Sequence, residues 1–353
     1  MKQKKFVGLD VHKETIAIVV IDEQGKTLVQ SVVATDGETI RDFLKGLSGE
    51  IHVTFEVGTQ SNWLYWQIKP LVEKAVVCNP RHNNLLMIGN KADLIDAEKL
   101  AQLLRLGAIK EVWQHSSEQA YLKELVRTHE NLISDCTKVM NRIKAVYRSH
   151  AIKCAGTSVY QVSKRDEWLA KLTEPGLRFR AELLFQELDM LINLRKHASL
   201  AMLRQARKHN DFKRLCKIPG LGFVSVSRLL AQVGTPNRFE TKRQFWKYCG
   251  LAVTTRSSAD HQIIDGKLQK RIKQTNARGL SRHFCHRLKH IFKMAAQKSA
   301  RREPFRQYYE SLLDGGTRPA LAQVSLARKI AAVALSVWKN QTDFDVRRSA
   351  AST

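Results

Sequence analysis

The first 110 residues alternate between apolar runs rich in β-branched residues and segments with helical spacing. Five runs predict strands, at Phe6–Asp10, Thr15–Ile21, Leu28–Val33, Ile51–Val57 and Ala75–Cys78. Three segments predict helices: Ile40–Leu47, Asn62–Val72 and a segment that begins at Lys91. The order of elements is therefore three strands, then helix, strand, helix, strand and helix.

A long helical region follows, and its apolar residues repeat as in a heptad. They lie alternately three and four residues apart, at Leu122, Leu125, His129, Leu132, Cys136, Val139, Ile143 and Val146. A second amphipathic helix is predicted over Leu177–Arg207. Two helices of this kind form either a hairpin within one chain or a coiled-coil arm that joins copies of the chain, and the pattern fits both.

The remaining sequence is punctuated by glycine and by polar residues. The segment Ile218–Gly222 precedes a predicted helix over Val224–Val233, and Phe245–Gly250 precedes a polar loop, Leu251–Gln262. Two closing helices are predicted at Gly279–Lys293 and Leu321–Lys339.

These patterns predict an α/β plus α fold with a separate helical half. Residues 1–112 have the element order of an RNase H-like (RuvC-like) domain built on a mixed sheet. Residues 113–212 form a helical, coiled-coil arm, and residues 213–343 form a mostly helical domain. Residues 344–353 are expected to be a disordered tail.

The charge balance predicts a polyanionic partner. The 353 residues include 59 Lys and Arg against 33 Asp and Glu, a formal net charge of +26. Because each phosphate that Lys or Arg neutralises releases a condensed counterion, such an excess favours nucleic acid. Neither an apolar run of membrane-spanning length nor a signal peptide is recognised. We therefore expect a cytoplasmic, nucleoid-associated protein that does not contact a membrane.

Four acidic residues stand where carboxylates are unusual or paired. Asp10 and Glu56 lie at the ends of apolar strands, and Asp93 and Asp96 lie three residues apart on one helix face. In an RNase H-like fold these positions converge. Carboxylates that lie so close together repel one another unless a cation lies among them. The sequence thus predicts a site for two Mg²⁺ (or Mn²⁺) ions. In ordinary surface roles, Asp93 would instead cap its helix, Asp96 would pair with Lys99 or Arg105, and Glu56 would lie on a solvated edge.

The C-terminal half contains residues suited to contact nucleic-acid phosphates. Gly220 and Gly222 resemble the hairpin of helix–hairpin–helix modules, whose backbone amides face a phosphate; a simple helix-starting turn is the alternative. Further basic residues are predicted to contact the backbone: Arg256, Lys267, Lys270, Arg271, Lys273, Arg278 and Arg282.

Three acidic motifs together resemble a known family. They are Gly8-Leu9-Asp10-Val11-His12-Lys13, Glu56-Val57-Gly58 and Lys91-Ala92-Asp93-Leu94-Ile95-Asp96-Ala97. With Ile218–Gly222, Tyr248–Leu251 and Ser257-Ser258, they are similar to the DEDD-type insertion-sequence transposases. This is insertion-sequence family one hundred and ten, which includes the eleven-eleven subgroup and is similar to the pilin-gene invertases.

The resemblance implies a recombinase that uses a serine of its second half as a covalent nucleophile on double-stranded DNA. The matching residue is Ser258, with Ser257 as the alternative; Ala259 stands where the family usually has glycine, and Val253 where it usually has proline. It also implies a bridge RNA as guide, and a dimer or tetramer in which different protomers complete one site.

Two other functions are compatible with the residues alone. A structure-selective nuclease of the Holliday-junction type would use the carboxylates and water, and would tolerate loss of both serines. A non-catalytic nucleic-acid-binding scaffold would tolerate Asp10→Asn.

Overall fold

The computed structural model describes residues 3–79, 92–255, 261–264, 267–270, 277–280 and 284–346. It divides into two compact units, residues 1–114 and residues 115–353. Of the predicted site residues, Arg256, Ser257, Ser258, Arg271, Lys273 and Arg282 lie outside the described residues.

Within its described residues, the N-terminal unit contains one five-stranded mixed sheet and three α-helices. The strands are β1 (Lys4–Val11), β2 (Thr15–Ile21), β3 (Thr27–Ala34), β4 (Glu50–Glu56) and β5 (Lys74–Cys78). The helices are α1 (Gly37–Lys45), α2 (Ser61–Ile68) and α3 (Asp93–Arg105). The strand order is β3-β2-β1-β4-β5, in which β1–β2 and β2–β3 are antiparallel while β1–β4 and β4–β5 are parallel. The predicted mixed sheet is confirmed.

The two faces of this sheet are covered by different helices. Val7, Leu9 and their neighbours on one face share a core with apolar residues of α1 and α2. On the opposite face, Ala97 and Ala101 of α3 pack with residues of β2. Because side chains alternate along a strand, Gly8 and Asp10 lie on the α3 face of β1.

The C-terminal unit begins with a hairpin of two long helices. These are α4 (Ser117–Arg148) and α6 (Pro175–Ala206), joined through a short helix, α5 (Arg165–Leu169). They are antiparallel, since Arg142 of α4 pairs with Glu187 of α6 while Leu122 and Met202 share a core nearer the other end. A capping box at Ser116 and Gln119 begins α4.

The predicted heptad seam of α4 is used inside the chain. Leu122, His129, Cys136, Val139, Ile143 and Val146 are all buried. These residues pack within the chain, as the hairpin interpretation predicts, whereas Leu125 and Leu132 of the same seam are only partly buried. Association between copies of the chain stays a prediction.

The rest of the unit is mostly helical. The helices are α7 (Phe212–Cys216), α8 (Phe223–Val233), α9 (Lys242–Tyr248), α10 (His286–Ser299), α11 (Phe305–Asp314) and α12 (Pro319–Lys339). Four short strands, β6 (Val253–Thr255), β7 (His261–Ile264), β8 (Lys267–Lys270) and β9 (Ala277–Leu280), pair as β6–β9 and β7–β8. The helix predicted from Gly279 is therefore wrong at its start: Gly279 lies in β9, and α10 begins at His286.

Helix α12 is long and apolar enough to cross a membrane by length and composition, although no such run was recognised in the sequence. Leu326, Ile330, Ala331 and Trp338 of this helix belong to a core shared with α8 and α10. Its apolar character is accounted for by this position in the core.

Candidate active site

Close packing of α3 on β1 brings the acidic residues of the N-terminal unit together. A Cβ atom on Gly8 would lie 1.9 Å from the Ala97 carbonyl oxygen and 2.7 Å from the Ala101 nitrogen. Only glycine permits this approach of helix to strand. It positions the first turn of α3, which carries Asp93 and Asp96, beside the end of β1.

The parallel pairing of β1 with β4 brings in the fourth carboxylate. The register pairs Leu9 with Phe55, so Asp10 and Glu56 are the next residues of adjacent strands. Both line a cleft of about 530 Å³ together with residues 57–60 of the loop that precedes α2 and with Ser61, the first residue of α2.

The four carboxylates are electrostatically coupled. Burial raises the pKa of Asp10, and the negative charges of Asp93 and Asp96 raise it further, while His12 lowers it. Burial also raises the pKa of Glu56, with additional contributions from Asp10 and Asp96. The negative charge of Asp96 thus acts on both strand-end carboxyls, and that of Asp93 acts on Asp10. The convergence of all four side chains on one metal site stays a prediction.

His12 is a residue of this site that the sequence interpretation missed. Its Nε2 atom lies 3.2 Å from Oδ2 of Asp10 and 3.3 Å from Oδ1 of Asp93. Ligand atoms of these three residues lie within 4.8 Å of one another. Its position two residues after Asp10, just beyond an apolar strand, was the available signal.

Asp93 does not cap its helix. Ala92 is the N-cap of α3, and within the described residues no side chain accepts a capping hydrogen bond there. Asp96 does make the ordinary ion pair, with Oδ1 3.2 Å from the Lys99 ammonium. Of the three ordinary surface roles, the cap by Asp93 is thus absent and the ion pair of Asp96 is present, while Glu56 is partly buried.

The donor set fits a hard divalent cation. Carboxylate oxygens are preferred by Mg²⁺, and imidazole nitrogen is tolerated by Mn²⁺. The raised pKa values of Asp10 and Glu56 reflect burial and repulsion that a bound cation would relieve.

The glycines predicted to contact phosphate occupy two different environments. Gly220 has φ +87° and packs so closely on α10 that a Cβ atom would lie 2.4 Å from Ser299 Oγ. Gly222 is the exposed N-cap of α8. Only Gly222 therefore lies at an open helix N-terminus. Lys267, Lys270 and Arg278 lie in β8 and β9.

Comparison with known protein families relates both halves of the chain to transposases. The sequence model of one protein family, the DEDD transposases of IS110, matches residues 7–151. The model of a second family, the transposases of IS116/IS110/IS902, matches residues 212–278. The first range contains all four carboxylates and His12. The second contains Gly220, Gly222, Ser257 and Ser258.

Two curated transposases are similar over long stretches. The transposase for insertion sequence element IS1111A of Coxiella burnetii (strain RSA 493 / Nine Mile phase I) is 24% identical over 275 residues, which cover 75% of this chain and 73% of the relative. The transposase for IS1533 of Leptospira borgpetersenii is 28% identical over 180 residues, 49% of this chain and 51% of the relative. The chain belongs to the IS110 family of DEDD transposases.

Proposed function

We propose that this transposase cuts and rejoins double-stranded DNA with a metal-dependent carboxylate site in its N-terminal unit. Asp10, Glu56, Asp93 and Asp96 would hold two Mg²⁺ or Mn²⁺ ions. The observation that carries the proposal is the geometry around Asp10: it lines one cleft with Glu56 of the adjacent strand, and His12 contacts both Asp10 and Asp93 of α3. The sheet order β3-β2-β1-β4-β5 supports the RuvC-like, RNase H-like interpretation of the unit.

The metal ions, when bound, would supply Lewis-acid activation of a phosphodiester. The chain's own residues have simpler tasks. Asp10 and Glu56, at the ends of adjacent strands, form the fixed part of the site, while Asp93 and Asp96 complete it from α3. His12 contacts Asp10 and Asp93, and therefore fixes the orientation of two carboxylates in the metal-free protein.

We propose Ser258, with Ser257 as the alternative, as the nucleophile. Its Oγ would lose its proton and form a bond to the scissile phosphorus, while the bond from phosphorus to one sugar oxygen would break. The departing sugar oxygen would take up a proton, so that no net proton is gained or lost. The basic residues Arg256, Lys267, Arg271 and Lys273 would stabilise the negative charge that develops on the phosphate. This part of the proposal rests on the family resemblance, as does guidance by a bridge RNA.

The decisive experiment looks for a covalent intermediate. The full chain is incubated with Mg²⁺, element-end DNA and RNA transcribed from the element, then analysed for a denaturant-resistant protein–DNA adduct. We expect an adduct with the wild type and none with the Ser257→Ala/Ser258→Ala double variant; each single variant identifies the nucleophile.

Asp10→Asn separates the remaining alternatives. The proposal requires that it abolish both cleavage and adduct. Cleavage that persists in the double serine variant would favour water as the nucleophile, and transposition by Asp10→Asn protein would favour a non-catalytic scaffold.

We also propose that the protein acts as a homo-oligomer, a dimer or tetramer, joined through α6 rather than α4. The outer side of α6 carries a second heptad seam whose members are all exposed, alternately four and three residues apart: Phe179, Leu183, Gln186, Met190, Asn193, His197, Leu200 and Arg204. Exposed apolar residues in such a row mark an association surface.

The charges of α6 favour an antiparallel partner helix. The first half of α6 carries Arg178, Arg180 and all three of its acidic residues (Glu182, Glu187 and Asp189), whereas its second half carries Arg195, Lys196 and Arg204 and no acid. Each acid also pairs with an arginine of the same chain, so the difference in charge between the two halves is small. Antiparallel pairing with a second α6 would place Leu183 opposite Leu200 and oppose unlike charges. A basic, DNA-binding oligomer of this kind would act in the cytoplasm, on nucleoid DNA.

A further inference from the structure

A cavity of about 790 Å³ in the C-terminal unit is lined by none of the carboxylate-site residues and by none of the residues predicted to bind nucleic acid. It lies between α9, α11, α12 and the segment after α12. Its walls combine the aromatic rings of Trp246, Tyr308 and Phe344 with the basic side chains of Lys242, Arg328 and Lys329. A volume of this size suits a ligand of about the size of a nucleotide.

Lys329 is the most informative residue of the cavity. The residue is only 8% exposed, and its ammonium lies 4.1 Å from the centre of the Tyr308 ring. Within the described part of the chain, no carboxylate or hydrogen-bond acceptor pairs with it. Burial lowers the pKa of Lys329. An ammonium on a largely buried side chain loses part of its hydration, and an anionic group that enters the cavity would offset that loss.

Asp343, one of the two acidic residues that line the cavity, does not compensate Lys329. Asp343 is already paired with Lys217, at 2.6 Å, and Asp345 has an interaction of its own. The side chain of Arg328 is held by a hydrogen bond from its Nε to the Leu251 carbonyl, at 2.6 Å. Lys329 is thus the buried cation of this cavity that is left for an anion.

The aromatic part of the cavity is fixed in place. The Trp246 indole Nε1 donates to the Arg328 carbonyl at 2.9 Å, so the ring cannot turn freely. Lys242 lies 5.8 Å from the centre of the Trp246 ring, nearer the open side. Rigid rings beside cations are the combination that binds unpaired bases together with their phosphates.

We propose that this cavity binds one unpaired nucleotide of a single-stranded nucleic acid, with the base against Trp246 and Tyr308 and the phosphate at Lys329. Inorganic phosphate alone would leave most of the volume and both rings unused. The strand can be RNA or DNA, and the experiment below distinguishes them. The inference does not depend on the proposed serine nucleophile.

The test measures binding of labelled single strands of one sequence, made as RNA and as DNA, to the full chain by fluorescence anisotropy. We expect Tyr308→Leu and Lys329→Met each to weaken binding of at least one strand by about fivefold or more. The strand that loses affinity identifies the source of the nucleotide. Lys298→Met, which removes an exposed lysine from α10, is the matched control and should stay within about twofold.

A stability measurement separates ligand binding from a structural role. If Lys329 serves a ligand, Lys329→Met removes an uncompensated buried charge, so thermal stability rises while affinity falls. If the lysine only supports the Tyr308 ring, stability falls and affinity is unchanged, which overturns the proposal.

Photocrosslinking gives a direct second readout. A strand with one 5-iodouracil should crosslink to Trp246 or Tyr308, as located by mass spectrometry. Crosslinks that all map outside the cavity, or equal affinities of wild type and both variants, also overturn it. Because DNA cleavage is assayed independently through Asp10→Asn, failure here leaves the proposed function intact.

Discussion

Gly8 of β1 lies directly beneath Ala97 of α3, with no room for a Cβ atom between the strand and the Ala97 carbonyl oxygen. This one contact determines how near Asp93 and Asp96 come to Asp10. Gly8 therefore serves the site through backbone packing, although it has no side chain of its own.

Gly8→Ala is expected to displace α3 and to lower the free energy of unfolding by about 1–3 kcal/mol, as overpacking does. Urea unfolding of the full chain measures this change. Gly58→Ala is the matched control, because Gly58 lies beside Asp10 in the cleft and a Cβ atom there meets nothing within 4 Å. Equal stabilities of the two variants would contradict the role given to Gly8.

Asp10→Asn is expected to stabilise the metal-free protein at neutral pH. The raised pKa of Asp10 means that the fold favours the protonated carboxyl. That contribution to stability is complete below the ordinary pKa and is lost as pH rises through the raised one. The difference in Tm between variant and wild type, measured in a chelator, should therefore grow from pH 4 to pH 7.

Two comparisons test this assignment. Asp42→Asn, which removes an exposed carboxylate from α1, should change Tm little at either pH. Mg²⁺ or Mn²⁺ should raise the Tm of the wild type. At a hundredfold excess of metal over Kd, the free energy of unfolding should increase by about 2.7 kcal/mol. A similar rise in Asp10→Asn would show that the metal binds elsewhere.

Leu183→Glu with Met190→Glu is expected to convert the oligomer to monomers. Two carboxylates in the exposed seam of α6 would be buried against a partner without compensation. Sedimentation velocity measures the change in mass. Leu321→Glu, on the exposed side of α12, should leave the mass as in the wild type. A wild-type chain that is monomeric at micromolar concentration would refute the proposed association through the exposed seam of α6.

Glu130→Gln is expected to destabilise the C-terminal unit by about 3 kcal/mol. Glu130 of α4 pairs with Arg228 of α8 at 3.4 Å and with Arg287 of α10 at 2.6 Å. Its loss leaves the largely buried Arg228 without a counter-ion. Glu124→Gln breaks an exposed pair with Arg127 and should cost less than about 1 kcal/mol in the same denaturation experiment.

Periodicity in the sequence predicted the longer elements well. The helix predicted over Leu177–Arg207 spans Pro175–Ala206, and the one predicted over Leu321–Lys339 spans Pro319–Lys339. The short strands β6 to β9 were missed, because three or four residues are too few to display a period. The outer seam of α6 was also missed, since its polar members Gln186, Asn193 and His197 interrupt the apolar pattern.

For the site, the four carboxylates could be proposed from acidic residues in apolar surroundings. His12 could not be proposed in this way, because a histidine in a polar turn has no distinctive sequence pattern. Only the structure shows that it lies beside Asp93. The nucleotide cavity was equally hidden. Trp246, Tyr308 and Lys329 come from three helices, and no local spacing relates them.

The cores of the C-terminal unit also set the order in which it can fold during synthesis. Residues between Cys136 and Leu188, at the far end of the α4–α6 hairpin, form a cluster of their own and can pack early. The larger cluster joins Leu122 to Trp338 and cannot close until α12 has left the ribosome. Until then the apolar sides of α8 and α10 lack their partner, and this interval is when the nascent chain is most exposed to aggregation and proteolysis.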